Sequence, residues 1–101
     1  MQLETKNALR LETDNFRFVN TSEAVQSLDY SKRLKILEVE FINGGVYHYL
    51  NVSQDTWKEL QGTIESGESL GAYVNSTVKA NHDYYKLDVP SIGELKNRSN
   101  G

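Results

Sequence analysis

The stretch Leu34-Lys35-Ile36-Leu37-Glu38-Val39-Glu40-Phe41-Ile42-Asn43-Gly44-Gly45-Val46-Tyr47-His48-Tyr49-Leu50 decides how the rest of the chain must be arranged. Leu37, Val39 and Phe41 alternate with Glu38 and Glu40, the period of a strand that buries one face and wets the other. Asn43-Gly44-Gly45 supplies residues that accept positive φ, and alternation resumes at Tyr47-His48-Tyr49. These features specify a β-hairpin. Loop parity then sets its faces. An even loop puts Phe41 with Val46, His48 and Leu50 and leaves Tyr47 and Tyr49 outside. An odd loop, such as a type I turn closed by a glycine bulge, groups Leu37, Val39, Phe41, Tyr47 and Tyr49 and sends His48 to join Glu38 and Glu40. The odd loop keeps both strands amphipathic in the same sense and is the expected one. The tyrosine hydroxyls then need partners or a route to solvent, since a buried unpaired hydroxyl costs about 1–3 kcal/mol.

On the N-terminal side, Val25, Leu28 and Tyr30 form a less regular apolar set read as a strand over about 24–30, followed by a turn at Ser31-Lys32-Arg33 into a strand over about 34–42. Leu9, Leu11 and Thr13, then Phe16 and Phe18, alternate with polar residues around Asp14-Asn15. They read as a hairpin of strands 8–13 and 16–20 with Leu11 opposite Phe18. Residues 1–6 carry no pattern and are expected to fray. On the C-terminal side, the second hairpin strand covers about 46–50. Ser53 is a good N-cap for a helix over about 54–65, with Val52 stapled on Trp57 and a stripe of Trp57, Leu60 and Ile64. Gly62 weakens that helix, and Ser66-Gly67 ends it. Ser69 caps a second helix over about 70–80 with the stripe Leu70, Tyr73, Val74 and Val78. Residues 84–87 can return as a further short strand, and 88–101 read as a flexible tail. The fold class expected is α+β, a small antiparallel sheet with two helices packed on one face, in one domain over 1–87.

Composition narrows the function classes. The chain has 101 residues, a net charge of −3 and no cysteine, so disulfides, thiolate metal sites and a cysteine nucleophile are excluded together. An acidic chain lacks the basic stripe with which proteins neutralise duplex phosphates, which argues against duplex DNA. The densest basic cluster, Lys32, Arg33 and Lys35, reads as a solvated turn. No apolar run reaches the length of a membrane span and no signal peptide is visible, so a cytoplasmic protein is expected. His48 and His82 lack metal-ligand spacing, and no nucleophile elbow or phosphate loop is present, so neither metal, cofactor nor enzymatic activity is expected.

Taken together, Leu37-Glu38-Val39-Glu40-Phe41, Gly44-Gly45, Tyr47-x-Tyr49 and Val52 resemble the first half of the KTSC domain. Ser69-x-Gly71-x-Tyr73-x-Asn75, with Val78, Tyr85 and Leu87, resembles its second half. The resemblance covers about residues 20–87 and leaves the 8–20 hairpin as an addition, suited to covering a sheet edge. Asp29, Ser53 and Val74 depart from the residues usual in the family. The family takes its name from a C-terminal extension of some lysyl-tRNA synthetases, so the resemblance implies RNA as a partner by association only.

The ligand-binding candidates are Tyr49, Tyr73, Asn75, Lys79, Tyr85 and Lys86, placed in a cleft between helix and sheet. An amide among aromatic rings is apt for reading a nucleobase edge. The competing reading is structural: Tyr47 and Tyr49 as core, Gly71 and Asn75 as a clamp between backbone segments. The function expected is a non-enzymatic binding module for a nucleotide-type ligand, either short unpaired RNA or a small soluble nucleotide. The alternatives are a protein-interaction or self-assembly module using sheet edges and the Ile36/Ile42 pair, and a phage-type inhibitor that sequesters a signalling nucleotide.

Overall fold

A computed structural model of the chain describes residues 1–20, 22–42 and 44–88. Five antiparallel strands lie in sequence order, β1 (Arg17–Phe18), β2 (Val25–Ser31), β3 (Ile36–Phe41), β4 (Val46–Tyr49) and β5 (Tyr84–Lys86). Between β4 and β5 the chain forms α1 (Gln54–Ser66) and a second helix in three parts. These are α2 (Leu70–Tyr73), a π-helical turn (Val74–Val78) and α3 (Lys79–Asn81). The expected α+β architecture is present, with both helices on one face of the sheet.

The hairpin has the odd loop. Leu37 lies opposite Tyr49, Val39 opposite Tyr47 and Glu38 opposite His48, so the apolar and aromatic side chains share one face. The Phe41 N–H donates to Gly45 O at 3.1 Å and the Gly44 N–H to Phe41 O at 3.0 Å. Gly44 and Gly45 sit at φ of 89° and 104°, where a side chain is strained. Asn43 lies outside the described residues.

The helices close over this face because their ends are fixed locally. Ser53 accepts from the Thr56 N–H and Ser69 from the Ala72 N–H, each at 3.2 Å, while Gly67 ends α1 at φ 77°. Trp57 and Leu60 of α1 are buried with Val52, and Leu70, Val74 and Val78 of the second helix meet Leu37 and Val39 in the same core. Each such side chain contributes roughly 1.5–3 kcal/mol by leaving water. Tyr30 stacks on Trp57 with ring centroids 5.4 Å apart and donates its hydroxyl to Val52 O at 2.6 Å.

Three expectations fail, for one reason. Residues 8–13 form no strand, and the expected 16–20 strand shortens to β1, which pairs with β2 rather than with 8–13. Residues 1–6 are not frayed: Gln2 bridges Tyr84 and Lys6 bridges Leu87, both parallel, with Leu3 N–H on Tyr84 O at 2.7 Å. The sheet face expected to be wet is covered, leaving Glu38, Glu40 and His48 exposed by no more than 2%. The reason is that the N-terminal segment pairs with the sheet itself, residues 1–6 on the backbone edge of β5 and residues 10–13 on the carboxylates of that face. Glu38 and Asp29 accept from the backbone N–H groups of Leu11 and Thr13, which a hairpin with 16–20 would have used differently. The N-terminal segment therefore runs as a strap along β5 and across the polar face. Asp88 joins it, its N–H on Lys6 O at 2.8 Å, and the rest of the expected tail lies outside the described residues. Ile36 and Ile42 belong to β3 and its exit; β3 is paired on both sides, so strand addition cannot run along it, although Ile42 is exposed.

Candidate functional site

On the helix side the sheet and the second helix do not close completely. They leave a cleft of about 370 Å³ lined by Phe41, Tyr47, Tyr49 and Tyr84 from the sheet and Asn75 and Lys79 from the helix. Glu23, Ala24, Gly44 and Gln2 complete its rim. This volume falls at the lower end of the range for small-molecule sites, about 300–1,000 Å³.

The aromatic wall follows from the hairpin parity. Tyr47 and Tyr49 project from β4, and Tyr84, opposite Tyr49 in the register, joins them from β5. Ring centroids lie 5.3 Å apart for Tyr49 and Tyr84, 6.1 Å for Tyr47 and Tyr84, and 5.7 Å for Phe41 and Tyr47. Tyr49 and Tyr84 are buried and Tyr47 is half-buried. No buried side-chain polar atom lacks a partner among the described residues, yet the Tyr49 hydroxyl bonds to none of them, so it opens into the cleft. Burial first, then the neighbouring phenols Tyr84 and Tyr47, push the Tyr49 hydroxyl well up. It stays protonated and can donate to a ligand acceptor.

The opposite wall depends on an irregular helix. Gly71 is packed so tightly that a Cβ there would lie 2.8 Å from the Ala24 Cβ, which presses the helix onto the start of β2. One turn on, the helix widens: the Lys79 N–H reaches back to Val74 O, a π-type bond. The Ser76 hydroxyl, at 2.7 Å from Ala72 O, uses the carbonyl that a regular α-helix would give to its amide. Such π turns often mark functional sites. Here the widened turn carries the exposed Asn75 into the cleft and ends at Lys79, whose Nζ lies 5.8 Å from the Tyr84 ring centroid. The cleft thus offers tyrosine phenols, the amides of Asn75 and Gln2 that both donate and accept, one ammonium and one carboxylate, Glu23, between aromatic walls.

Of the six residues singled out in the sequence, the structure brings Tyr49, Asn75 and Lys79 together. Tyr73 is turned toward α1, where its hydroxyl binds Glu59; burial and that carboxylate push it up to about 12. Tyr85 points to the opposite face of the sheet, because Tyr84 takes the cleft side and adjacent strand residues alternate. Lys86 faces the helix side but lies beside Gly45, outside the cleft. Tyr84 was missed because the Tyr84-Tyr85 pair fits either parity, and only the register with β4 chooses. Gln2 was missed because nothing local places the strap beside Tyr84. Glu38, His48 and Tyr85 form a buried chain on the far face: His48 Nε2 lies 2.9 Å from Glu38 Oε1, and Nδ1 lies 3.1 Å from the Tyr85 hydroxyl.

The comparisons with known proteins agree with this architecture. The family model for the KTSC domain matches residues 21–84. An uncharacterized protein from Stutzerimonas stutzeri is 35% identical over 68 residues, which span 66% of this chain and 90% of that protein. The crystal structure of a KTSC domain protein from Yersinia pestis has a TM-score of 0.54 at 23% identity, covering 68% of this chain and 90% of that one, a likeness of fold alone. The strap up to Asn20 lies outside the matched residues, as does Leu87 at the end of the sheet. No helix among the described residues is long and apolar enough to cross a membrane.

Proposed function

The chain belongs to the KTSC domain family, and on that premise we propose that it is a non-enzymatic binding module that takes a nucleotide-type ligand in the tyrosine cleft. The observation that carries this reading is the Tyr49 hydroxyl, 2% exposed as a residue and without a partner among the described residues, opening into a space that also holds Asn75 and Lys79. A planar heterocycle satisfies all three. Its face can lie against Tyr47 and Phe41, its acceptor can accept a hydrogen bond from the phenol, and its edge can pair with the amide. A single cation offset by Glu23 suits an unpaired base or a singly charged nucleotide better than a phosphate-rich one. Set beside a partner that carries unpaired RNA, such a cleft would take an exposed base. A free-standing chain would use it to hold a small nucleotide, including a signalling one.

Calorimetry with the ribonucleosides, their monophosphates and a short unpaired oligoribonucleotide tests the reading. The expected result is binding by at least one of them that Tyr49→Phe weakens about tenfold, the worth of one hydrogen bond in a dry site. No heat from any of these probes, or binding indifferent to Tyr49→Phe and Asn75→Ala alike, would contradict it. A second reading, assembly by strand addition, is favoured by the outer edge of β1, where Phe16 and Phe18 are 38% and 58% exposed. Sedimentation at high concentration tests it, and a strict monomer removes self-assembly through that edge.

A further inference from the structure

The sheet face opposite the cleft carries an acidic row that the family-matched residues do not neutralise alone. Asp29 and Glu38 are register partners on β2 and β3, Glu40 lies two residues on, and all three are at most 1% exposed. Within residues 21–84 they are met by the Ser27 hydroxyl, the Tyr30 N–H and His48. Their cation arrives from the strap. Arg10 donates to Glu38 Oε2 through Nε at 3.3 Å and Nη2 at 3.1 Å, and its Nη1 lies 3.0 Å from Glu40 Oε1. The Leu11 N–H donates to Glu38 Oε1 at 2.9 Å, and Thr13 donates its N–H at 3.2 Å and its hydroxyl to the two oxygens of Asp29.

A second observation concerns how the strap is attached. Among the described residues the main apolar core contains none before Val19. The strap adds only Leu3 and Ala8 among the described residues, against a small separate cluster of Val46, Tyr85 and Leu87. It is held as a bound peptide is held, by backbone pairing along a strand edge and by side chains read at fixed positions. The backbone N–H groups are common to any sequence. Selectivity resides in the guanidinium that spans two carboxylates and in the hydroxyl three residues later.

We propose that this face is a peptide-docking groove that reads an extended Arg-x-x-Ser/Thr segment, and that residues 2–13 are the occupant the chain carries for itself. A partner of this chemistry binds by displacing the strap, on the side of the sheet away from the cleft. Gln2 is the strap residue that reaches the rim of the cleft, while Tyr49, Asn75 and Lys79 lie on the helix side, so the groove and the ligand cleft are read at different residues.

The test adds a synthetic peptide of residues 1–15 to the full-length chain carrying Arg10→Ala or, separately, Thr13→Val, followed by amide exchange and by backbone resonances. In the wild-type chain the tethered strap outcompetes the free peptide, and the resonances stay in place. In the variants the Leu11 and Thr13 amides exchange faster, and the peptide shifts Glu38, His48 and Tyr85. The same peptide with its own Arg10→Ala change binds at least about 30-fold more weakly, as loss of a buried charge pair requires. Strap amides as protected as in wild type, a peptide that shifts nothing in either variant, or equal binding of the altered peptide would each overturn the proposal. So would failure of both variants to fold, which would make the strap part of the core and not a docked segment.

Discussion

Tyr49 and Tyr30 are both buried phenols, and the difference between their hydroxyls separates binding from stability. Tyr30 donates to Val52 O deep in the core, so Tyr30→Phe strands that carbonyl and is expected to cost about 1–3 kcal/mol in chemical denaturation. Tyr49→Phe removes a hydroxyl that no described residue uses, and the same measurement should move by no more than about 0.5 kcal/mol while ligand affinity falls. Glu38 gives the pH dependence. Burial pushes its carboxyl up, but the hydrogen bonds from His48, the Leu11 N–H and Arg10, with the Arg10 charge, outweigh this and hold it below the ordinary value of 4.5. The folded state thus prefers the ionised form. Its contribution is present above pH 4.5 and is lost as pH falls through the lower, folded value. Acid unfolding followed by far-ultraviolet circular dichroism should therefore lose part of its slope in Glu38→Gln. At this scale the sequence revealed residue types and alternation, which were enough to place Tyr47 and Tyr49 inward. It could not assign Tyr85, because two adjacent tyrosines satisfy either parity until β5 is registered on β4.

The second helix is the element on which the cleft depends, and two glycines distinguish packing from propensity. Gly62 of α1 faces open space, so Gly62→Ala should stabilise by about 1 kcal/mol, the ordinary helix preference. Gly71→Ala has the same propensity gain but drives a methyl against the Ala24 Cβ, and it should destabilise by roughly 1–3 kcal/mol, with parallel loss of ligand binding. Thermal denaturation of the pair checks both signs. The hairpin, both N-caps and the stripes of the helices were legible, because each is encoded within a few residues. The π turn was not. It depends on how Gly71 seats against a residue 47 positions earlier, Ala24, and on a serine hydroxyl taking a backbone acceptor. The 8–13 strand was misread for a related reason: alternation reports a residue's suitability for a strand, while distant carboxylates decided where that backbone bonded.

Across the whole molecule, one sheet presents two chemically different faces, an aromatic one under the helices and an acidic one under the strap. Glu38 and Glu40 look like solvent-facing residues locally, and their burial is set by Arg10, 28 residues from Glu38 in sequence. Because Arg10 is itself 18% exposed and joins two buried carboxylates, Arg10→Met should lower the unfolding free energy by about 3–5 kcal/mol in urea. The family match alone would leave this face uncovered, since it begins at residue 21. The proposed cleft remains the feature on which the functional account turns. Its most direct test is chemical-shift mapping of the isotope-labelled chain against ribonucleosides, nucleotides and a short unpaired oligoribonucleotide. The account predicts shifts concentrated at Tyr47, Tyr49, Asn75, Lys79 and Tyr84; shifts confined to the strap face, or none with any of these probes, would contradict it.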